Sequence, residues 1–144
     1  SAALAATCVL VLNRTEAVAW LSEMGEGLAD VDLTAISESE LTAIWREWPK
    51  GEWLVITLGA QGCVAYGRDG SVHRVPGHAL VCTQPVGAGD AFSAGLCAAL
   101  ASGVSMAQAL RRANACGALA AGRDGILTAL PFVEEVQALL AETV

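Results

Sequence analysis

Residues Gly87-Ala88-Gly89-Asp90 run directly into an Ala-rich stretch, Ala91-Phe92-Ser93-Ala94-Gly95. Small residues at a helix N-terminus expose free backbone N–H groups at the positive end of the helix macrodipole, and both features favour a bound anion. An Asp in that place is open to two readings. It caps the helix, as Asp commonly does, or it is a base held beside a phosphate-binding turn. Two further segments, Asn13-Arg14-Thr15-Glu16 and Thr57-Leu58-Gly59-Ala60-Gln61-Gly62, also follow apolar runs. Phosphoryl transfer needs a deprotonated or oriented hydroxyl, stabilisation of the growing negative charge, and a grip on nucleotide phosphates and their metal. Asp90 is a candidate for the base. The N–H groups of Ala88, Gly89 and Asp90 are candidates for an anion hole, where small side chains let the backbone approach the phosphate. Glu16 either orients a hydrated Mg²⁺, which keeps oxygen ligands and several waters, or is an ordinary solvated acid of a first helical turn. The Gly59 to Gly62 segment equally suits a tight hairpin turn.

Other phosphate devices are absent from the sequence. There is no G-x-x-x-x-G-K-[ST], and Phe92 stands where a G-x-G-x-x-G fingerprint would place its third Gly. Ser93 lacks the Gly two residues earlier that a nucleophile elbow requires. His73 and His78 fall in a hairpin and beside a Gly, without metal-ligand spacing, and read as structural.

The elements that must position these residues alternate. Residues 8–12 read as a short buried parallel strand. Thr15 is the expected N-cap of a helix reaching Glu26, with Ala17, Val18, Leu21 and Met24 at helical spacing. Residues 37–48 repeat the design, with a Ser37/Glu40 capping box and a stop at Pro49. Residues 53–58 form a second strand, followed by a hairpin from residues 63–66 to 71–76. Residues 79–82 read as a further extended piece. Helices are expected at 89–101, 105–120 and 131–141, the last with Pro131 near its first turn and Glu134-Glu135 suited to the dipole. In open α/β sheets ligands gather at the carboxyl ends of strands, where these candidate segments fall.

Composition agrees. The 144 residues are one domain's worth, 54% hydrophobic but only 5% aromatic, as in Ala-, Leu- and Val-rich helices packed on a sheet. A net charge of −7 without a basic run argues against nucleic acid and anionic membrane as partners. No charged leader precedes the first strand, and the uncharged run from Ala91 to Leu110 breaks at Ser102-Gly103-Val104-Ser105 into two core helices rather than a membrane span. The five cysteines, odd in number and without a C-x-x-C pair, read as buried reduced thiols of a cytoplasmic protein.

Pro85-Val86-Gly87-Ala88-Gly89-Asp90-Ala91-Phe92 resembles the second signature, D-T-x-G-A-G-D-x-F, of the ribokinase-like (PfkB) carbohydrate kinases. In matching order, Asn13-Arg14-Thr15-Glu16 resembles that family's N-x-x-E motif. Thr57 to Gly62 resembles its T-L-G-x-x-G nucleotide loop, and Ala113-Asn114-Ala115 the helix near the adenine. The resemblance implies ATP-dependent phosphorylation of a sugar hydroxyl, with ribose, fructose or a related sugar as substrate. Position by position, Asp90 would be the base and Gly87, Ala88 and Gly89 the anion hole. Asn13 would meet the nucleotide phosphates and Glu16 would organise Mg²⁺. Thr57, Gly59 and Gly62 would flank the nucleotide, with Asn114 near its base.

The resemblance departs at Gln84-Pro85, where the signature has Asp-Thr. That Asp ligates a monovalent cation in potassium-activated members, so its replacement counts against activation by K⁺. Family members are also much longer. The resemblance covers residues 1–144 as a single domain, the carboxyl-terminal half of a three-layer α/β/α fold with mostly parallel strands and a β-hairpin. The expectation is therefore a chain that is inactive alone and completed by a missing amino-terminal half or a second polypeptide, the complete enzyme being a possible homodimer. The competing expectation is a non-catalytic nucleotide-binding or assembly module derived from such a kinase.

Overall fold

A computed structural model describes residues 8–24, 45–46 and 51–142. The β-branched and leucine run after Cys8 forms strand β1, Val9–Asn13, and passes without a loop into helix α1, Arg14–Met24. Strand β2, Trp53–Thr57, lies parallel to β1 with Val9 opposite Trp53 and Asn13 opposite Thr57. A short 3₁₀ turn, Gly59–Gln61, leads to β3, Gly62–Gly67, and a turn at residues 68–71 leads to β4, Val72–Pro76. The sheet order is β1-β2-β3-β4. Connections as short as those around β3 join antiparallel neighbours, because a parallel crossover needs about a dozen residues or more, so the sheet is mixed. Helices α2, Ala88–Ala101, α3, Met106–Ala121, and α4, Val133–Glu142, follow. Among the described residues no helix is long and apolar enough to cross a membrane.

The chain divides into two compact units, Ser1–Leu58 with Val64–Arg74 and Gly59–Cys63 with Val75–Val144. In the first, Ala17 and Leu21 of α1 pack with Trp45, Leu54, Ile56, Val64 and Tyr66, flanked by Leu10, Leu12 and Trp20. Trp20 and Trp45 meet edge to face at 6.2 Å, a favoured aromatic geometry. In the second unit α2 buries Ala91, Phe92, Leu96 and Ala99, and α3 buries Met106, Ala109, Leu110, Ala113, Ala115 and Ala120. The high Ala and Gly content belongs to this contact. A Cβ built on Gly95 would sit 2.7 Å from the Cys116 sulfur, and one on Gly117 would sit 3.1 Å from the Ala88 carbonyl oxygen. Helices that close admit no larger side chain without rearrangement.

Several sequence expectations change. Asn13, not Thr15, caps α1, because the helix begins at Arg14, directly after β1 ends at Asn13. The helix expected at 37–48 lies outside the described residues except for Trp45 and Arg46, as do Gly25 and Glu26, the expected end of the first helix. Residues 79–82 form no strand; they cross between β4 and α2 with Leu80 and Val81 exposed. The cysteines are all free, but Cys8, Cys82 and Cys97 are exposed, Cys116 is half-buried and only Cys63 is buried. Apolar neighbours in sequence did not imply burial for the first three, which fall at a strand edge, in a loop and on the outer face of α2. Burial pushes the Cys63 thiol up to about 12, so it stays protonated and inert. The break between α2 and α3 falls as expected, with Gly103 at φ 78°.

Candidate functional site

In the first unit, Asn13, Glu16 and Thr57 share the carboxyl end of the parallel β1/β2 pair. Asn13 ends β1 and caps α1; its Oδ1 accepts the Glu16 N–H at 2.9 Å, while its own N–H donates to Glu16 Oε2 at 2.8 Å. This reciprocal pair is a capping box built from Asn and Glu. It arises because the strand-to-helix junction has no loop, so two of the helix's orphan N–H groups need side-chain acceptors. Glu16 is exposed, and one of its carboxylate oxygens is used in the box. Mg²⁺ is held in many sites by one carboxylate, substrate phosphates and water, so an exposed carboxylate fixed on one oxygen fits the donor set such an ion takes. Thr57, opposite Asn13 in the register, reaches the Leu12 carbonyl with its hydroxyl at 3.5 Å. Among the described residues no three His, Cys, Asp or Glu side chains cluster. His73 instead stacks on Trp53 at 5.3 Å.

In the second unit, Gly59 opens the 3₁₀ turn at φ 60°, and Gly62 leaves it at φ 94°. A Cβ on Gly62 would collide with the Val75 carbonyl oxygen, and one on Gly77 with that of Ala60. The turn and the end of β4 thus touch backbone to backbone. Asn114 of α3 is buried and donates from Nδ2 to the Pro76 carbonyl at 2.8 Å, fastening that same segment. Its amide nitrogen therefore holds the loop, whatever else its side chain meets. Burial first, and then the Arg111 charge, lowers the pKa of His78 just beyond the loop.

In the turn into α2, Gly87 and Ala88 are half-buried while Gly89 and Asp90 are exposed. Pro85 accepts the Ala88 N–H at 3.2 Å, and Gly87, at φ 86°, is the N-cap residue. The first free turn therefore differs from the sequence expectation: the Ala88 N–H is engaged in a turn. The N–H groups of Gly89 and Asp90 have no partner among the described residues. Asp90 is exposed, and no side chain caps this helix. The capping explanation of Asp90 fails on that geometry, because a glycine occupies the cap and the Asp carboxylate makes no bond to it. What remains is a free carboxylate beside two free N–H donors at the positive end of a helix of 14 residues.

In sequence Gln84 stands out only as a departure from the signature, and neither it nor Thr83 is legible as an anchor of this turn. Thr83 N–H and Gln84 N–H donate to the Ala121 carbonyl at 2.8 and 3.0 Å, and Thr83 Oγ1 donates to the Gly122 carbonyl at 3.1 Å. The loop thereby satisfies the orphan carbonyls at the end of α3. Gln84 Oε1 accepts the Gly125 N–H at 3.1 Å. Gly117, one turn along α3 from Asn114, admits the Ala88 carbonyl. A glycine inside a helical pattern is a signal of such close approach; Thr83 and Gln84 carry none.

The chain matches the family described as pfkB family carbohydrate kinase over residues 1–132. It is 35% identical over 128 residues to the ATP-dependent ribose-1-phosphate kinase of Halopiger xanaduensis, covering 83% of this chain and 42% of that protein. With the fructokinase of Escherichia coli it shares 36% identity over 124 residues, 82% of this chain and 37% of the relative. Among solved structures, the fructokinase of Vibrio cholerae O395 with fructose, ADP and calcium ion superposes with a TM-score of 0.75 at 28% identity, covering 96% of this chain and 42% of that one. Arabidopsis thaliana ribokinase complexed with ribose and ATP gives a TM-score of 0.78 at 22% identity, over 95% and 42%. The fold is ribokinase-like, and the chain spans about two-fifths of the length of these relatives.

Proposed function

We propose, for a chain that belongs to the pfkB family of carbohydrate kinases, that it supplies the phosphoryl-transfer and nucleotide-binding part of an ATP-dependent sugar kinase. The observation that carries this reading is the turn at residues 87–90, with its free carboxylate beside free Gly89 and Asp90 N–H groups. Asp90 takes the proton of a sugar hydroxyl as the sugar oxygen bonds to the γ-phosphorus of ATP. The bond from that phosphorus to the β–γ bridging oxygen breaks, leaving sugar phosphate and ADP. The Gly87-Ala88-Gly89 backbone, through the Gly89 and Asp90 N–H groups, offsets charge on the transferring group.

Asn13 and Glu16 act at the nucleotide phosphates, Glu16 through a hydrated Mg²⁺ that neutralises phosphate charge when bound. Thr57, Gly59 and Gly62 flank the nucleotide, with Asn114 near the base. The ligands of related structures, ATP with ribose and ADP with fructose, support a sugar acceptor of this class and a nucleotide donor. Gln84 in place of the signature's Asp supports independence from K⁺. The share of each relative that this chain spans supports a working enzyme that includes further polypeptide, which supplies most of the sugar pocket.

Calorimetric titration with ATP·Mg²⁺, alongside phosphorylation assays over ribose, fructose and nucleosides, tests the proposal. Nucleotide binding by the chain, with turnover once the remaining polypeptide is present, is the expected result. Binding without turnover in the complete protein would instead support a non-catalytic module, and no binding would sink both readings.

A further inference from the structure

The loop at residues 83–87 is anchored upstream by backbone and hydroxyl bonds to Ala121 and Gly122. Downstream, Pro85 has no N–H to give, and the chain enters α2 at Ala88. Between those points Gln84 Oε1 accepts the Gly125 N–H from the segment after α3. Gly125 is held at φ 90°. Its neighbour Ile126 is exposed, yet its Cγ2 lies 3.6 Å from where a Cβ on Gly87 would stand. The Gln84 amide thus fastens the segment whose next residue flanks the N-cap of α2.

We propose that Gln84 is a positioning residue: by holding Gly125, and with it Ile126 against Gly87, it sets the turn that aims the Gly89 and Asp90 N–H groups at a phosphate. This rests on the anion-turn reading above. A glutamine suits the task because its side-chain carbonyl is a neutral acceptor, so the tie adds no negative charge beside an anion site.

The test uses backbone-amide NMR of this chain. Inorganic phosphate is the probe for the turn, and hydrogen exchange at Gly125 is the probe for the tie. Gln84→Met and Gln84→Ala both lack the acceptor. Each is expected to speed Gly125 exchange and to raise the phosphate concentration that half-shifts the Gly89 and Asp90 amides, by about three- to tenfold, the range a single neutral hydrogen bond supports. Amides of α3 are expected to keep their protection. Gln84→Glu, which retains an acceptor, is expected to restore slow exchange at Gly125.

Unchanged Gly125 exchange in the Met and Ala variants would refute the tie. Faster exchange with an unchanged phosphate titration would refute the positioning role. Absence of any phosphate response at Gly89 and Asp90 in the unsubstituted chain would remove the anion-turn reading and this proposal with it, while Gly125 exchange reported separately on the tie.

Discussion

Four described helices carry an acid or amide at their third residue: Glu16 in α1, Asp90 in α2, Gln108 in α3 and Glu135 in α4. In three of them the side chain reaches back to the N-cap N–H, from Glu16 to Asn13, Gln108 to Ser105 and Glu135 to Phe132. Asp90, one methylene shorter than Glu and preceded by a glycine cap, does not. Residue type thus separates a structural acid from an unengaged one at an equivalent position. The sequence made Asp90 legible as a choice between cap and base, and the geometry removes the cap. Glu16 was legible as an acid at the right place, but its engagement with Asn13 was not, because helical spacing alone points to Thr15 as the cap. Replacing Asn13 with Ala is expected to lower stability by about 1 kcal/mol in urea unfolding, as loss of an N-cap does. Asp90→Ala should change it by less than about 0.5 kcal/mol. An equal loss at Asp90 would mark that residue as structural.

Among the elements, turns and caps decide where the candidate residues stand. The Gly59 to Gly62 segment was readable either as hairpin chemistry or as a nucleotide loop, and its geometry is that of a tight turn. Gly62 combines a left-handed φ with backbone contact to Val75. Gly62→Ala should therefore destabilise the chain by about 2 kcal/mol or more, read from the urea midpoint. A neutral substitution would show that the turn relaxes freely. The long-range partner of that turn, Asn114 on Pro76, could not be seen in sequence, because 38 residues separate the two.

At the last helix, the side-chain bonds from Arg123 and then the Phe132 N–H hold the Glu135 carboxyl below its ordinary range. A carboxyl with a lower pKa folded than unfolded stabilises above its unfolded value, about 4.3 for Glu, and loses that contribution as pH falls through the folded value. The stability advantage of the natural chain over Glu135→Gln should thus be full near neutrality and shrink below about pH 4. A difference that stays constant through that range would contradict this pairing.

At the scale of the whole molecule, composition was a good guide to class and a poor one to exposure. Ala- and Gly-rich helices packed at Gly95 and Gly117 are what 54% hydrophobic content with few aromatics described. The exposed Cys8, Cys82 and Cys97 show that an apolar neighbourhood in sequence does not fix which face a side chain takes. The chain belongs to the pfkB family of carbohydrate kinases and spans about two-fifths of the length of the relatives it matches. In the proposed function Asp90 is the base of a phosphoryl transfer from ATP to a sugar. This role is tested most directly by comparing turnover and ATP·Mg²⁺ affinity of the complete protein carrying this chain with those of its Asp90→Asn variant. The expected result is a fall in kcat of about 10² or more with nucleotide affinity nearly unchanged; equal turnover in the two proteins would rule out Asp90 as the base.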